Sequence, residues 1–395
     1  RLRFGESLAE AYSDIGYKNS TNDHSPRDFD CDICSLSDLT FGQTGFRFVR
    51  IDFIEAKQVK IKAVAAEEKI LNIKPRYSYK GEDETIRRIF DAAKRTIDLC
   101  AGGEYLWDGI KRDRLVWIGD IYPEMLALTT LYGRTEIIEK SLDFIKDATV
   151  LPAFMNDMPT YSMWWIIVLH DYYQITGCKD FLDKQIGYLE KLIKILNLNV
   201  GENGELNYDI FVDWPTRGDK DETTGTRCIN LAAAEKARAI LKAYGKDTKY
   251  ACEMIVKLKK GSFAIDSKKQ VIGLKYYAFG EISEEEYDLL VKGGAAGLST
   301  FMSYFILTSI AAKDKKLAVR IMKNYYGKML DLGATTFWED FDIAWAQNAG
   351  GIDEFPVKGK VDIHGDFGAF CYKGYRHSLC HGWSSGVIKF IKENC

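Results

Sequence analysis

The stretch ETIRRIFDAAKRTIDLC, residues 84–100, sets the hydrophobic period of the chain. Its apolar residues recur with helical spacing, so that Ile86, Ile89, Phe90, Ala93 and Ile97 lie on one face. Such a face is typical of an amphipathic helix that packs against a neighbouring layer. The segment therefore predicts an α-helix that packs on other parts of the protein.

The same period recurs along the rest of the chain, with glycine or asparagine at most of the joins. Further helices are predicted near residues 121–132, 135–147, 162–176, 180–197, 229–243, 248–259, 283–292, 297–312, 315–329 and 385–393. About a dozen helices with uneven loops indicate paired helical hairpins. Long loops often carry functional groups, and the long joins are 99–119, 148–161, 199–228 and 333–383.

The residues before this helical region follow a different pattern. GFRFVRIDF (45–53) and QVKIKAVAA (58–66) are rich in β-branched and aromatic residues, and they predict strands. So few strands do not close a β-sandwich. This segment is therefore either the end of a sandwich whose first part is missing or a sheet packed on the helical region.

Composition excludes some partners. The chain has 395 residues, a formal net charge of -3 and no basic run, which argues against a nucleic-acid partner. Its longest apolar stretches, such as residues 164–169, are too short to span a bilayer. Nine scattered cysteines, an odd number, predict buried free thiols and a cytoplasmic, reducing location. An extracytoplasmic location stays open, because the chain begins with Arg1.

Four carboxylates and two tryptophans crowd the segment WDGIKRDRLVWIGDIYPE, residues 107–124. Aromatic faces stacking on sugar C–H groups, with carboxylates binding the hydroxyls, would explain this composition. Helix caps, surface ion pairs and core tryptophans would explain it as well. Pro123 is tolerated in a first helical turn, which places Asp120 at or near the N-cap.

Two more segments combine titratable and aromatic residues. In GATTFWEDFDIAW (333–345), Glu339 lies among aromatic residues, which would raise its pKa as acid–base catalysis requires; a helix start is the alternative. In RHSLCHGWSSG (376–386), His377 and His381 are too few for a metal site, and a structural role is the alternative for each. Asp213 and Trp214 could form a pocket wall, and Trp164 could line a cavity or belong to the core.

Together these motifs resemble the bacterial α-L-rhamnosidases of glycoside hydrolase family 78. The most specific segments are LWDGIKRDRLVWIGDIYPE, GATTFWE and SLCHGWSSG. The resemblance implies a mainly α fold, an (α/α)6 barrel of six helical hairpins, preceded by a short β segment from an incomplete β-sandwich. It implies a sandwich end over 1–66, a linker over 67–82 and a catalytic barrel over 83–395. Because the rest of the sandwich and the usual C-terminal β-domain are not seen, we expect a fragment or an incomplete form.

The resemblance also implies release of terminal α-L-rhamnose with inversion, Asp113 acting as general acid and Glu339 as general base. The candidate substrate-binding residues from the resemblance and the motifs are Asp108, Arg112, Trp117, Asp120, Trp164, Asp213, Trp214, Trp338, His381 and Trp383. A rhamnosylated glycoside or oligosaccharide is the implied partner. Neither a metal nor a cofactor is expected, since two carboxylates suffice for inversion. A homo-oligomer stays open.

Asp113 is one methylene shorter than the glutamate common in the family, which leaves Glu124 or an altered specificity open. An acid must hold its proton, so we expect Arg112 and Arg114 to point away from Asp113, with Arg112 bound to Asp108. Two alternatives remain: a non-hydrolytic or degenerate carbohydrate-binding relative, and another six-hairpin enzyme such as an uronyl hydrolase. The latter would show a site rich in arginine and lysine.

Overall fold

The computed structural model describes residues 1–55 and 58–395. The α-helices in chain order are α1 Leu8–Tyr12, α2 Glu84–Cys100, α3 Ile121–Tyr132, α4 Glu136–Ala148, α5 Pro159–Thr176, α6 Lys179–Leu198, α7 Glu222–Ala243, α8 Lys249–Leu258, α9 Lys269–Phe279, α10 Glu284–Val291, α11 Ser303–Ala311, α12 Lys315–Asp331 and α13 Val387–Asn394. The strands are β1 Leu2–Gly5, β2 Asp28–Phe29, β3 Phe48–Ile51, β4 Ala349–Gly350 and β5 Val361–Asp362.

From α2 onward the helices form six successive pairs, and the two members of a pair differ in burial. The first members, such as α2, bury an apolar stripe and expose the opposite face. The second members, such as α3, are apolar on more than one side, and every residue of α3 is buried. A helix that is hydrophobic all round packs in the interior of a domain. The mainly α, six-hairpin architecture predicted from the sequence is therefore confirmed.

The second members of the pairs contact one another in cyclic order. α3 contacts α5, which is followed by α7, α9, α11 and α13, and α13 returns to α3. The other helices pack outside this series, with α12 next to α2 and α6 next to α8. This order is the one expected for the inner ring of an (α/α)6 barrel. It brings the loop before α3 next to the loop before α13.

The N-terminal residues form a small antiparallel sheet in the order β2-β1-β3. Leu2 in the central strand pairs with Phe29 on one side and Ile51 on the other. The second predicted strand is wrong: residues 58–66 form no strand, and Val59 and Ile61 are exposed. An alternating sequence forms a strand only where a neighbouring strand accepts its hydrogen bonds.

Other predicted elements also need correction. α9 was not predicted at all, and α7 begins at Glu222 instead of near residue 229. All nine cysteines are unpaired, but only four of them are buried, so the prediction of buried thiols is correct for those four. Among the described residues no helix combines the length and the hydropathy needed to cross a membrane. The domain limits at residues 66 and 83 stay predictions.

Candidate active site

The first and last predicted motifs meet at one end of the inner helices. Gly109, in the loop between α2 and α3, forms an isolated antiparallel bridge with His381, in the loop before α13. The Gly382 N–H also donates to the Asp108 carbonyl oxygen at 2.6 Å. Gly382 has no space for a side chain, because a Cβ would clash with Glu124. Backbone hydrogen bonds thus hold two motifs together that are distant in the sequence.

Three carboxylates converge on His381. Its Nε2 lies 3.9 Å from Asp108 Oδ2, 3.9 Å from Asp120 Oδ2 and 3.9 Å from Glu339 Oε1. These distances are too long for direct hydrogen bonds. All four side chains are nearly fully buried. The structure thus brings together Asp108, Asp120, Glu339 and His381, four of the candidate site residues, and their roles stay predictions.

Burial dominates the acid–base properties of Asp108 and Asp120. It raises the pKa of Asp108 well above its usual range, and the nearby carboxylates of Asp120 and Asp113 raise it further. The pKa of Asp120 is raised in the same way, although the Tyr161 hydroxyl, which donates to Asp120 Oδ1 at 3.2 Å, partly opposes this. Asp120 occupies the N-cap position of α3 but makes no side-chain capping bond. Its carboxylate is thus directed to the site.

The carboxylate of Glu339 is held on both sides. The Ser378 N–H donates to Glu339 Oε2 at 3.0 Å, and Arg112 Nη2 donates to Oε1. Burial raises the pKa of Glu339 above its ordinary value, and the positive charge of Arg112 opposes that rise. The Glu339 carbonyl accepts from Trp383 Nε1 at 2.8 Å and from the Thr300 hydroxyl. The position of this predicted base is therefore fixed through both its backbone and its side chain.

Arg112 bridges the two predicted catalytic carboxylates. Its Nη1 donates to Asp113 Oδ2 at 2.8 Å, its Nη2 binds Glu339, and its Nε donates to the Arg376 carbonyl at 3.0 Å. The prediction that Arg112 turns away from Asp113 and binds Asp108 is wrong. Burial would lower the pKa of Arg112, but the facing carboxylates of Glu339 and Asp113 raise it above its usual value. Two buried or half-buried acids sharing one cation explain this orientation.

Asp113 has an unusual backbone and two basic neighbours. Its φ is 54°, a left-handed conformation that non-glycine residues rarely adopt. Its Oδ1 lies 3.2 Å from His24 Nε2, while Oδ2 contacts Arg112. Arg114 points away as predicted and donates to the carbonyls of Gln43 and His24. Asp113 thus faces Glu339 across Arg112, but both of its oxygens have partners.

The predicted aromatic residues divide into two groups. Trp117 packs edge-on against Tyr161 with ring centroids 6.0 Å apart, and its indole N–H has no hydrogen-bond partner among the described residues. Trp383 packs on His381 at 4.1 Å. In contrast, Trp164 and Trp338 are 0% and 1% exposed. They belong to the core, so the prediction that they contact substrate is not supported by their positions.

A narrow cavity lies beside Glu339, and it offers about 10 Å³ for the centre of a water molecule, which is room for roughly one water. It is lined by Asp213, Trp214, Pro215, Ser299, Thr300, Phe301, Glu339, Asp340, Tyr372 and Trp383. Burial raises the pKa of Asp213 to about 6 and that of Asp340 to about 7. The predicted wall residues Asp213 and Trp214 are therefore in place. Asp340, Ser299 and Tyr372 were missed; only the acidity of Asp340, next to Glu339, could have indicated one of them.

Glu124 and His377 have supporting positions. Glu124 is fully buried, and neither carboxylate oxygen has a hydrogen-bond partner among the described residues. Burial raises its pKa well above the ordinary value, and the negative charges of Asp120 and Asp108 raise it further. His377 Nε2 accepts from the Asp340 N–H at 2.9 Å, which agrees with a structural role. Glu124 lies below the carboxylates that surround His381.

Comparison with known proteins supports the same fold. Residues 77–253 match the bacterial alpha-L-rhamnosidase six-hairpin glycosidase domain. No curated protein matches the chain in sequence. A rhamnosidase from Klebsiella oxytoca with rhamnose bound is 19% identical, with a TM-score of 0.61, and the match covers 79% of this chain and 64% of that one.

Two further solved structures are similar. The family 78 rhamnosidase of Bacillus sp. GL1 is 18% identical with a TM-score of 0.61, and the match covers 81% of this chain and 35% of that one. The α-L-rhamnosidase of Streptomyces avermitilis, complexed with L-rhamnose, is 14% identical with a TM-score of 0.51, covering 79% and 31%. The chain thus spans less than two thirds of the length of each. It is similar in fold to the glycoside hydrolase family 78 rhamnosidases, and residues 77–253 match the six-hairpin glycosidase domain of bacterial alpha-L-rhamnosidases.

Proposed function

We propose that this chain is a glycoside hydrolase that releases terminal α-L-rhamnose from a rhamnosylated glycoside with inversion. The observation that carries the proposal is the convergence of Asp108, Asp120 and Glu339 on His381 beside Arg112. Carboxylates accept hydrogen bonds from sugar hydroxyls, and rhamnose is a neutral deoxysugar rich in such donors. The rhamnose-bound relative with the same fold supports this substrate class.

Glu339 is the proposed general base. It must be ionised to accept a proton from the attacking water, and the Ser378 N–H and Arg112 stabilise its negative charge. Water then adds to the anomeric carbon while the bond to the leaving oxygen breaks. Inversion requires a second carboxyl group roughly 6.5–9.5 Å from the base, so that water fits between base and sugar. Arg112 lies between the two proposed catalytic carboxylates and binds one oxygen of each.

Asp113 is the proposed general acid, by its correspondence to the family motif. Its Oδ2 is bound by Arg112, so this contact must loosen when substrate binds if Oδ2 is to reach the leaving oxygen. Asp340 is the alternative acid. It lines the cavity beside Glu339, and burial raises its pKa to about 7, which suits a proton donor near neutral pH.

The dependence of kcat/KM on the leaving group distinguishes Asp113 from Asp340 as the general acid. A phenolate with electron-withdrawing substituents leaves without protonation, whereas an alkoxide does not. We therefore expect Asp113→Asn to reduce kcat/KM by about 10²- to 10⁴-fold on an alkyl rhamnoside and by far less on 4-nitrophenyl rhamnoside. Asp340→Asn serves as the matched variant. The same pattern in Asp340→Asn, with none in Asp113→Asn, would assign the acid to Asp340.

The overall function is tested with a panel of aryl glycosides, with proton NMR used to follow the first anomer formed. We expect hydrolysis of the α-L-rhamnoside and initial appearance of β-L-rhamnose, because single displacement inverts the anomeric centre. Initial formation of α-L-rhamnose would contradict the inverting mechanism. Faster cleavage of another sugar in the panel would contradict the substrate assignment.

A carbohydrate-binding protein without hydrolysis is the second candidate. It is favoured by Asp113, because both of its oxygens already contact basic side chains. Calorimetric binding of rhamnose without release of any aglycone would support it. An uronyl hydrolase is less well supported, since three carboxylates and a single arginine surround the site centre in the described chain.

A further inference from the structure

A carboxylate from the N-terminal sheet region reaches the loop before α13. Glu6 follows β1 directly, and it is 5% exposed. Its Oε2 accepts from the Leu379 N–H at 2.5 Å, and its Oε1 accepts from the Ser378 hydroxyl at 3.4 Å. These two residues belong to the same short segment that carries His381. Glu6 thus holds a backbone segment of the candidate active site from outside the helical hairpins.

The same segment positions Glu339. The Ser378 N–H donates to Glu339 Oε2 at 3.0 Å, and the Glu339 N–H donates to the Ser378 carbonyl at 2.9 Å. The segment is therefore bound to Glu6 through the Leu379 N–H and to Glu339 through the Ser378 backbone. A shift of the Ser378–Leu379 backbone would move the hydrogen bond that orients the proposed base.

A buried ion network holds Glu6 in place. Lys111 Nζ lies 2.9 Å from Glu10 Oε1 and 3.6 Å from Glu6 Oε2, and it donates to the His377 carbonyl at 2.8 Å. Glu6, Glu10 and His364 have the ligand types of a cation site. Lys111 Nζ already lies between them, at 3.3 Å from His364 Nε2. The cluster is thus a protein ion network, and we assign no metal to it.

We infer that Glu6 is a positioning residue for the general base, acting through the Ser378–Leu379 backbone. This inference rests on the proposed function for the role of Glu339. It adds that the N-terminal segment helps to position the general base, although it lies outside the helical hairpins. The length of the Glu6 side chain allows its carboxylate oxygen to accept from the Leu379 N–H. This length contributes more to the positioning than the negative charge does.

Two substitutions separate reach from charge. Glu6→Asp keeps the charge but withdraws the acceptor by one methylene, whereas Glu6→Gln keeps an acceptor oxygen at the same reach. We expect Glu6→Asp to lower kcat by about 10- to 100-fold with little change in KM, since misplacing a catalytic group by about 1 Å has effects of this size. Glu6→Gln should retain most of the wild-type kcat.

Hydrogen exchange gives a measurement that does not need turnover. In Glu6→Asp, we expect the Ser378 and Leu379 amides to exchange at least about tenfold faster than in the wild type, because their hydrogen bonds open more often. In Glu6→Gln they should stay protected. If the wild type hydrolyses no rhamnoside, the proposed function fails, and the exchange rates still decide whether Glu6 holds this segment.

Glu286→Asp is the matched control. It shortens another buried carboxylate, which pairs with Lys275 and caps α10, and among the described residues it makes no hydrogen bond to Ser378 or Leu379. We expect its kcat and the exchange of those two amides to stay near wild type. The inference is overturned if Glu286→Asp matches Glu6→Asp in both measurements, if Glu6→Gln is the more damaging Glu6 variant, or if Glu6→Asp changes neither.

Discussion

Glu339→Gln is expected to reduce the release of nitrophenol from 4-nitrophenyl α-L-rhamnoside by about 10²- to 10⁴-fold. Gln is nearly isosteric with Glu, so its oxygen can still accept from the Ser378 N–H. An amide cannot take the proton from the attacking water, however. The loss should therefore appear mainly in kcat, with little change in KM. With the glutamine oxygen on the Ser378 N–H, its NH2 group faces Arg112 Nη2, so the midpoint of thermal unfolding should also fall.

The control for this experiment is Glu354→Gln, which makes the same substitution at an exposed glutamate in the long loop before α13. It should hydrolyse the substrate at the wild-type rate. Full turnover by Glu339→Gln would show that another group activates the water. A folded Glu339→Gln protein that still binds rhamnose by calorimetry would locate the loss in the chemical step.

Arg112→Met is expected to lower the free energy of unfolding by about 3–5 kcal/mol at neutral pH. The side chain of Arg112 is 5% exposed and pairs with both Asp113 and Glu339. Removal of the guanidinium leaves the Glu339 charge buried with only the Ser378 N–H as a donor. Urea denaturation followed by circular dichroism at several pH values measures this effect.

The pH dependence of this loss has a definite sign. Burial already holds the pKa of folded Glu339 above its ordinary value, and loss of the Arg112 charge raises it further. As the pH falls through that folded pKa, the carboxyl group is protonated and its burial costs less. The difference in unfolding free energy between wild type and variant should therefore shrink as the pH is lowered through the raised pKa of Glu339. An equal difference at every pH would contradict the assignment of the cost to an ionised Glu339.

Arg112→Lys tests whether charge alone is enough. Lysine keeps a positive charge, but it cannot match the planar fork that binds Asp113, Glu339 and the Arg376 carbonyl together. We expect a stability between those of wild type and Arg112→Met. Wild-type stability in the lysine variant would show that the fork geometry contributes little.

The hydrophobic spacing predicted the outer helices because each of them buries one apolar stripe and exposes its opposite, polar face. α2 was recognised from its spacing alone, and its observed bounds are Glu84–Cys100. α9 was missed because its sequence, KQVIGLKYYAF, contains β-branched and aromatic residues and lacks a clear polar face. The strand predicted at residues 58–66 does not form, although its sequence pattern is clear. Its alternation is clear, but strand formation depends on a partner that local sequence cannot specify.

The sequence predicted which residues lie at the site better than it predicted their hydrogen-bond partners. Asp108, Asp120, Glu339 and His381 were candidates through the resemblance of their motifs to the family 78 rhamnosidases, since the residues alone left helix caps and structural roles open. The partners of Arg112 were predicted wrongly: it binds Asp113, the next residue, and Glu339, 227 positions away, instead of Asp108. Glu6 was not identified as a candidate at all, because its contact with Leu379 spans 373 positions. Contacts of that kind emerge only from the assembled fold.

The meeting of the first and last hairpins also bears on biosynthesis. Arg112 and Glu339 are 227 positions apart, and the Gly109–His381 bridge links still more distant residues. During translation, residues 107–124 leave the ribosome long before their partners exist. Until then their acidic side chains must remain hydrated, because no cation or amide donor from residues 339–381 is available to them. Assembly of this region is therefore among the last folding events, and slow folding is expected for such long-range contacts.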